Sequence, residues 1–360
     1  MALSLVVTLL LGLTPLGARL VAAVARPLGG GWVWQILLGG LALLLLGRAV
    51  ALPFDARLEV VRRNYGLSVQ TWSGWWLDIA KGVGLTAVLL LPVLVALFAL
   101  VRHWPRAAWP IAAAAGALLV VAVSFLYPLL VEPAFNKFHK MPDGPLRTSL
   151  LQLAEKDGVK VDDVLVADAS RRTTALNAYV SGFGSTRRIV VYDTALRTAS
   201  QRDIELITAH ELGHAKRNDV LHGTLIGAAG MAAGICLVGL LMQWKPLLRR
   251  ASADDAGDPR ALALLLAVVA VVMTLAGPAQ TLISRRLEAR ADVHALDLTG
   301  DPEGFIAMQR RLALANQSNL TPNPVLQVLF ATHPSTAERI ALARDWAKLH
   351  GVPEPASLRP

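Results

Sequence analysis

"ITAHELGHAKRNDVLHGTLIGAAGMAAGICLVGLLMQW" (residues 207–244) joins two signals that rarely share one stretch of chain. Its first third sets His210 and His214 four residues apart, with Glu211 beside the first. On a helix that spacing puts both imidazoles on one face, where both reach a single zinc ion. Glu211 is placed to act as general base towards the water that the metal activates. With 8 His in 360 residues, a shuffled chain of this composition would carry the HExxH pattern only about 0.004 times. The rest of the stretch is a membrane span by composition. Residues 220–244 hold only His222 among ionisable side chains. About 20 apolar residues suffice to cross a bilayer.

Working outward, the same composition recurs. Residues 1–18, 27–47, 82–101, 107–131 and 261–284 contain no Asp, Glu, Lys, Arg or His. The chain is 54% apolar and 17% charged, against about 25% charged in soluble domains. The reading is six spans, near 1–18, 31–50, 77–101, 107–131, 220–243 and 261–283. The first is read as a retained span and not a cleaved leader, because its first basic residue, Arg19, follows the apolar run. The expected fold class is a mainly α, multi-spanning helical membrane protein with a zincin-like α+β catalytic part. Two domains are expected. Residues 1–131 form a membrane domain of four spans, and 132–360 form a zinc peptidase domain that includes the last two.

The formal charge is +9, yet the basic residues are not arranged in a stripe with interleaved aromatics, so nucleic acid is not expected as a partner. They lie mostly in connections between spans. The positive-inside rule then puts 132–219, the tail after 284 and a loop at 51–73 (Arg57, Arg62, Arg63) on the cytosolic side. Trp72, Trp75 and Trp76 end that loop as interfacial anchors. A single cysteine, Cys236, excludes an intramolecular disulfide.

Within 132–219 the pattern turns soluble. "PLRTSLLQLAEKDG" (145–158) reads as a helix stopped by Gly158, and "VKVDDVLVADAS" (159–170) as a strand. "TALNAYVSGFGSTRRIVVYDTAL" (174–196) reads as a hairpin. Ser200 is the expected N-cap of the helix carrying the metal motif, with Asp203 in its first turn. The tail is helical, broken at Gly300-Asp301-Pro302, Thr321-Pro322 and His333-Pro334.

A catalytic zinc needs a third protein ligand and an open position. The HExxHxxGxxH pattern is excluded, since Arg217 and Val220 stand where it needs Gly and His. If one helix runs through, His222 lies about 12 Å beyond His214, and it is read as a buried, hydrogen-bonded residue of the span. Asp219 is too far along to ligate and is read as a supporting or capping group. The better candidate lies in "SRRLEARADVHAL" (284–296), where Glu288 and Asp292 share a helical face. Glu288 is expected as third ligand. Asp292 is expected to orient a ligating histidine through its other ring nitrogen. Two spans separate His214 from Glu288, and an even number returns the chain to the side it left.

These stretches, with "LPFDARLEVVRRNYGLS" (52–68), "EPAFNKFHKMPDGPLRTSL" (132–150), "NAYVSGFGSTRRIVVYDTAL" (177–196) and "THPSTAERI" (332–340), resemble the zinc-dependent, membrane-integral CAAX prenyl endopeptidases (type I) and their bacterial relatives. The resemblance covers nearly the whole chain. It implies helices enclosing a chamber, with a zincin-like site at the cytosolic end of a bacterial inner membrane. It implies one Zn2+ per chain on His210, His214 and Glu288, with Glu211 catalytic. His333 and Arg339 are implied to support the substrate and the developing oxyanion. The backbone around Asn177 and Tyr179 is implied to bind substrate as an added strand. Full-length relatives carry one further helix before the stretch that matches "MALSLVVTLLLGLTPLGARL" (1–20), which aligns with their second span, so the expectation is either a start upstream of Met1 or a chamber with one wall fewer. "HAKRND" (214–219) departs from the bulkier, aromatic-containing stretch of the eukaryotic branch, which bears on the prenyl group more than on the peptidase chemistry.

The function expected is zinc-dependent peptide-bond hydrolysis, with a peptide or protein tail as substrate and membrane lipid as surroundings. The tail is isoprenylated on the CAAX reading. A broad-specificity quality-control protease for membrane proteins is the alternative within the class. A non-catalytic zinc-containing membrane scaffold is the alternative outside it, and Glu211 argues against that, since a structural site needs no general base.

Overall fold

A computed structural model describes residues 2–128, 132–182, 184–353 and 355. The elements run, in chain order, α1 (Ala2–Gly12), α2 (Pro15–Ala25), α3 (Trp32–Asn64), α4 (Trp72–His103), α5 (Ala108–Leu126), α6 (Glu132–Phe135), β1 (Phe138–Lys140), α7 (Pro145–Asp157), β2 (Asp163–Ala167), β3 (Ala178–Ser181), β4 (Arg188–Tyr192), α8 (Asp193–Thr198), α9 (Gln201–Lys216), α10 (Asp219–Met242), α11 (Lys245–Arg250), α12 (Leu262–Thr299), α13 (Pro302–Ala315), α14 (Pro324–Phe330) and α15 (Thr336–Leu349). The chain forms two compact units, neither contiguous in sequence.

The first unit comprises residues 1–62, 70–121 and 226–276. Among the described residues five helices are long and apolar enough to cross a membrane: α3, α4, α5, α10 and the helix that ends as α12. The expected first span differs. α1 and α2 meet at a 77° bend. The break falls where Thr14 caps α2 and Pro15 opens it, because proline is favoured in a first turn and cannot continue a preceding helix. The expected loop at 51–73 is also mostly absent. α3 runs through Pro53 to Asn64, and Thr71 caps α4 one residue before Trp72. Inside this unit Phe98, Ile36, Met242, Leu262 and Leu264 are fully buried, whereas Val88, Leu89, Leu118 and Leu275 remain largely exposed, as side chains facing lipid should. Gly12 and Gly239 are required by close packing. A Cβ at Gly12 would lie 2.3 Å from Ala267 Cβ, and one at Gly239 would lie 2.5 Å from the Trp109 ring.

The second unit comprises residues 63–69, 122–225 and 277–360. Its sheet has the order β1-β2-β4-β3, antiparallel at both edges and parallel between β2 and β4. The hairpin expected over 174–196 is β3 and β4, while Asp193–Thr198 turns helical at once. The short β1 has no counterpart in the sequence reading. A core of Leu150, Val164, Ile189, Leu206, Leu212, Leu296, Phe305 and Met308 joins the sheet to α7, α9, α12 and α13.

α9 begins as the sequence suggests and ends where it did not. The Ser200 hydroxyl accepts from the Asp203 amide at 3.1 Å, and the Asp203 carboxylate accepts from the Ser200 amide at 3.1 Å. Arg311 grips the same carboxylate at 2.9 and 2.5 Å. At the other end Asn218 takes φ +53°, which stops the helix two residues before α10 starts its first turn. The motif and the span are therefore separate helices. His222 is exposed, not buried, and its Nδ1 lies 3.1 Å from the Arg217 carbonyl.

Burial raises the Asp203 carboxyl, but Arg311 and Ser200 outweigh it and hold the group below the ordinary carboxylate range. Its contribution to stability is thus present above the unfolded carboxylate pKa and is lost as pH falls through the folded value. Ser200→Ala and Asp203→Ala should each cost about 1–2 kcal/mol. The check is a lowered unfolding temperature in detergent at pH 7, with the Asp203→Ala deficit shrinking in acid. Equal deficits at pH 7 and pH 3 would contradict the linkage.

Candidate active site

Two helices supply the inner groups. α9 carries His210, Glu211 and His214, and α12 carries Glu288 and Asp292. The donor atoms of His210, His214 and Glu288 lie within 4.8 Å of one another. His210 Nε2 is 3.3 Å from His214 Nε2 and 3.2 Å from Glu288 Oε2, while His214 Nε2 is 3.5 Å from Glu288 Oε1. Donors placed about 2.0–2.1 Å from a tetrahedral zinc would be separated by about 3.3 Å. The His210–His214 and His210–Glu288 Oε2 separations match that spacing, and the other Glu288 oxygen is the one that meets His214. Glu288 Oε2 is also buried without a hydrogen-bond donor, as a carboxylate oxygen reserved for a cation would be.

The outer nitrogens of both imidazoles meet carboxylates. His210 Nδ1 is 2.9 Å from Asp292 Oδ1, and His214 Nδ1 is 2.9 Å from Asp219 Oδ2. A carboxylate at Nδ1 favours the proton there and leaves Nε2 as the lone-pair donor. The carboxylates are supported in turn. Arg339 on α15 donates Nε to Asp292 Oδ2 at 2.8 Å and Nη2 to Oδ1. Arg290 donates to Asp219. The break at Asn218 makes the second contact possible, because it turns Asp219 back towards His214.

The electrostatics follow from this concentration of negative charge. Burial alone would lower His210, but Asp292 and Glu288 overcome it and hold the imidazole at about 9. His214 is likewise raised by Glu288 and Asp219 against burial. The cluster therefore attracts a cation, protons in the metal-free protein and a metal ion otherwise. Burial raises the Glu211 carboxyl above its ordinary range, against the opposing pull of His210 and His214.

A cavity of about 340 Å³ opens beside these groups. Glu211, His214, Glu288 and His333 line it, with Val180 and Gly182 on the β3 side. His333, in the connection between α14 and α15, has Nε2 3.4 Å from Glu288 Oε2 and is 60% exposed. It also lines a second cavity of about 520 Å³, together with Arg339, Gln309 and Asn316. All the expected metal-site residues are thus brought together. Asn177 and Tyr179 lie at a different register of the strand. The Asn177 carbonyl accepts from the Tyr192 amide at 3.0 Å, so it faces β4. Neither residue lines the two cavities, whereas Val180 does. Val180, Arg187, Asn218 and Arg290 escaped the sequence reading. Only Asn218-Asp219, a helix-stopping pair, carried a signal for any of them.

Residues 141–347 match the model for peptidase family M48, and residues 1–137 match one described as CAAX prenyl protease N-terminal, five membrane helices. The chain is 31% identical over 310 residues to the uncharacterized metalloprotease YhfN of Bacillus subtilis, covering 82% of this chain and 70% of that protein. It is 29% identical over 297 residues to the CAAX prenyl protease 1 homolog of Oryza sativa, covering 82% and 69%. The crystal structure of S. mikatae Ste24p shares the fold at a TM-score of 0.78 and 22% identity, covering 86% of this chain and 76% of that one.

If Asp292 sets the tautomer of His210, Asp292→Asn should weaken zinc binding about 10–100-fold. Competition against a chromogenic chelator measures this, and unchanged affinity would contradict the role.

Proposed function

This chain belongs to peptidase family M48 and is a membrane-integral zinc metalloendopeptidase, and we propose that His210, His214 and Glu288 hold one zinc ion per chain, with Glu211 as general base. The observation that supports the ligand set is the cluster of donor atoms within 4.8 Å of one another, in which His210 Nε2 lies 3.3 Å from His214 Nε2 and 3.2 Å from Glu288 Oε2. Bound there, zinc would polarise the scissile carbonyl and make water a stronger acid, with a pKa of about 7.

Glu211 lies on the same helix turn as His210 and lines the cavity. It takes a proton from the attacking water and passes it to the leaving amine. Its buried setting favours this return step, because a carboxyl with a raised pKa holds the proton and remains able to release it. Asp292 and Asp219 hold the imidazoles in the ligating tautomer. Arg339 is a positioning residue, since its guanidinium is engaged with Asp292. His333 is exposed enough to meet substrate and close enough to Glu288 to sit over the reacting carbonyl, where a donor would stabilise developing charge.

The substrate is a polypeptide tail held extended on the outer edge of β3, the last strand of the sheet. Asn177 and Tyr179 act from inside this strand, by fixing its register against β4. The named relatives favour a C-terminal tail carrying an isoprenyl group as the substrate class. The catalytic unit faces the cytosol, in keeping with the basic residues of 132–219.

Glu211→Gln should retain zinc and lose about 10²–10⁴-fold in cleavage rate. Glu288→Ala should lose zinc. A farnesylated CAAX peptide should be cut faster than its unprenylated twin by the zinc-loaded protein. Cleavage that survives Glu211→Gln would refute the mechanism, full zinc content in Glu288→Ala would refute the ligand, and equal rates on the twins would refute the prenyl assignment.

A further inference from the structure

Between Arg311 and Glu338 the chain carries no Asp, Glu, Lys or Arg, in a tail that is otherwise charged. α14 lies inside this gap, and its sequence, PVLQVLF, has a single polar side chain. Val325, Leu326, Val328 and Phe330 are each more than half exposed. The polar residue, Gln327, is turned inward: it is half-buried and donates Nε2 to the His333 carbonyl at 3.0 Å. A helix on a water-facing surface puts its polar face outward, and α14 reverses that arrangement.

Its place is set by the helix that ends the last span. The Thr281 hydroxyl donates to the Val328 carbonyl at 3.1 Å. Arg285 Nη1 donates to the carbonyls of Gln327, Val328 and Ala331 at 3.0, 3.1 and 2.8 Å. Thr281 belongs to the charge-free run 261–284, and Arg285 is the first charged residue after it. α14 is therefore fastened where the apolar span gives way to charged chain. Leu282 and Ile283, next to Thr281 on α12, are exposed as lipid-facing residues are. The backbone of α14 also suits a medium poor in water. At its start Pro324 has no amide, the Asn323 side chain accepts from the Val325 and Leu326 amides at 2.9 and 3.3 Å, and the Asn323 carbonyl accepts from the Gln327 amide at 2.9 Å. At its end Arg285 and Thr281 occupy carbonyls that a helix in water would leave to solvent. Where water is scarce, such groups must find their partners within the protein.

We infer that α14 is an interfacial helix whose exposed apolar face seats in the lipid bilayer beside the end of the last span, with the boundary between headgroups and acyl chains as its partner. The surface is continuous with the exposed apolar side chains at the end of the span on α12. It is also small. Seven residues of helix are about 10 Å long, whereas a stable protein interface takes about 800 Å² from each partner. Lipid needs no such area, because the spans already hold the protein in the bilayer. The seat bears on the site as well, since through Gln327 the same helix holds the backbone of His333.

The test reads depth directly. Cys236 is the sole cysteine, so a Cys236→Ser chain accepts one nitroxide label at a chosen position. The full chain is reconstituted in vesicles of phosphatidylcholine and phosphatidylglycerol, labelled through Leu326→Cys or Phe330→Cys. Asp143→Cys is the water reference, since the Asp143 side chain is 97% exposed. Val325→Cys replaces either α14 variant that fails to fold. Relaxation of the label by oxygen, which concentrates among acyl chains, is compared with relaxation by a water-soluble nickel chelate. Oxygen should dominate at both α14 positions and nickel at Asp143→Cys. Nickel dominating at the α14 positions would overturn the inference, because α14 would then face water, outside the protein or in a water-filled cavity. Protection from both reagents would also overturn it, because protein would then cover the face, from a second copy or from this chain. Peptide cleavage is not read in this experiment, so either failure leaves the peptidase reading standing.

Discussion

The structure depends on one electrostatic constraint. Two imidazoles and three carboxylates, from Glu288, Asp292 and Asp219, are gathered within a few ångströms, with Asp292 wholly buried. Isolated, such carboxylates would be too costly to bury. They are tolerated because each is matched. Asp292 has Arg339 and His210, Asp219 has Arg290 and His214, and Glu288 has the place of a cation between the histidines. The arginines pair with the outer carboxylates, and the inner one faces the two histidines.

Meeting that constraint requires α9 and α12 side by side, and the sequence between them is mostly membrane-spanning. Glycine allows the approach. A Cβ at Gly213, between the two metal-motif halves, would lie 3.0 Å from the His294 side chain of α12. His294 is itself held by Asp157 at 3.0 Å, and Asp157 by Lys216 at 2.8 Å. The same face of α9 that carries its two motif histidines is thus packed against the helix that brings Glu288.

Much of the site was legible because its logic is local. His210, Glu211 and His214 follow from helical periodicity, and Glu288 and Asp292 from a second helical face. Ser200 and Asp203 read as a cap because capping needs only residues three apart. The roles of Arg339 and Val180 were not legible, because their partners lie on other elements. Arg339 looks like any solvated helix arginine until α15 is placed against Asp292. Val180 lines the cavity from the sheet edge, a placement that no side-chain pattern records. The helix break at Asn218 was missed for a different reason. A single Asn is a weak signal between a helical motif and an apolar run, and the expectation of one continuous helix overrode it.

What the sequence by itself determined is the material of the protein: charge-free runs long enough to span a bilayer, a zinc-binding spacing on a capped helix, and a matching acidic face after an even number of spans. These depend on periodicity and composition, which are properties of short windows of chain. Only the tertiary structure decided the parallel pairing of β2 with β4, the bend between α1 and α2, the turn that brings Asp219 back to His214, and the arginines that neutralise the outer carboxylates. Each of these joins residues distant in sequence or rests on one backbone torsion, and neither leaves a periodic trace to be read.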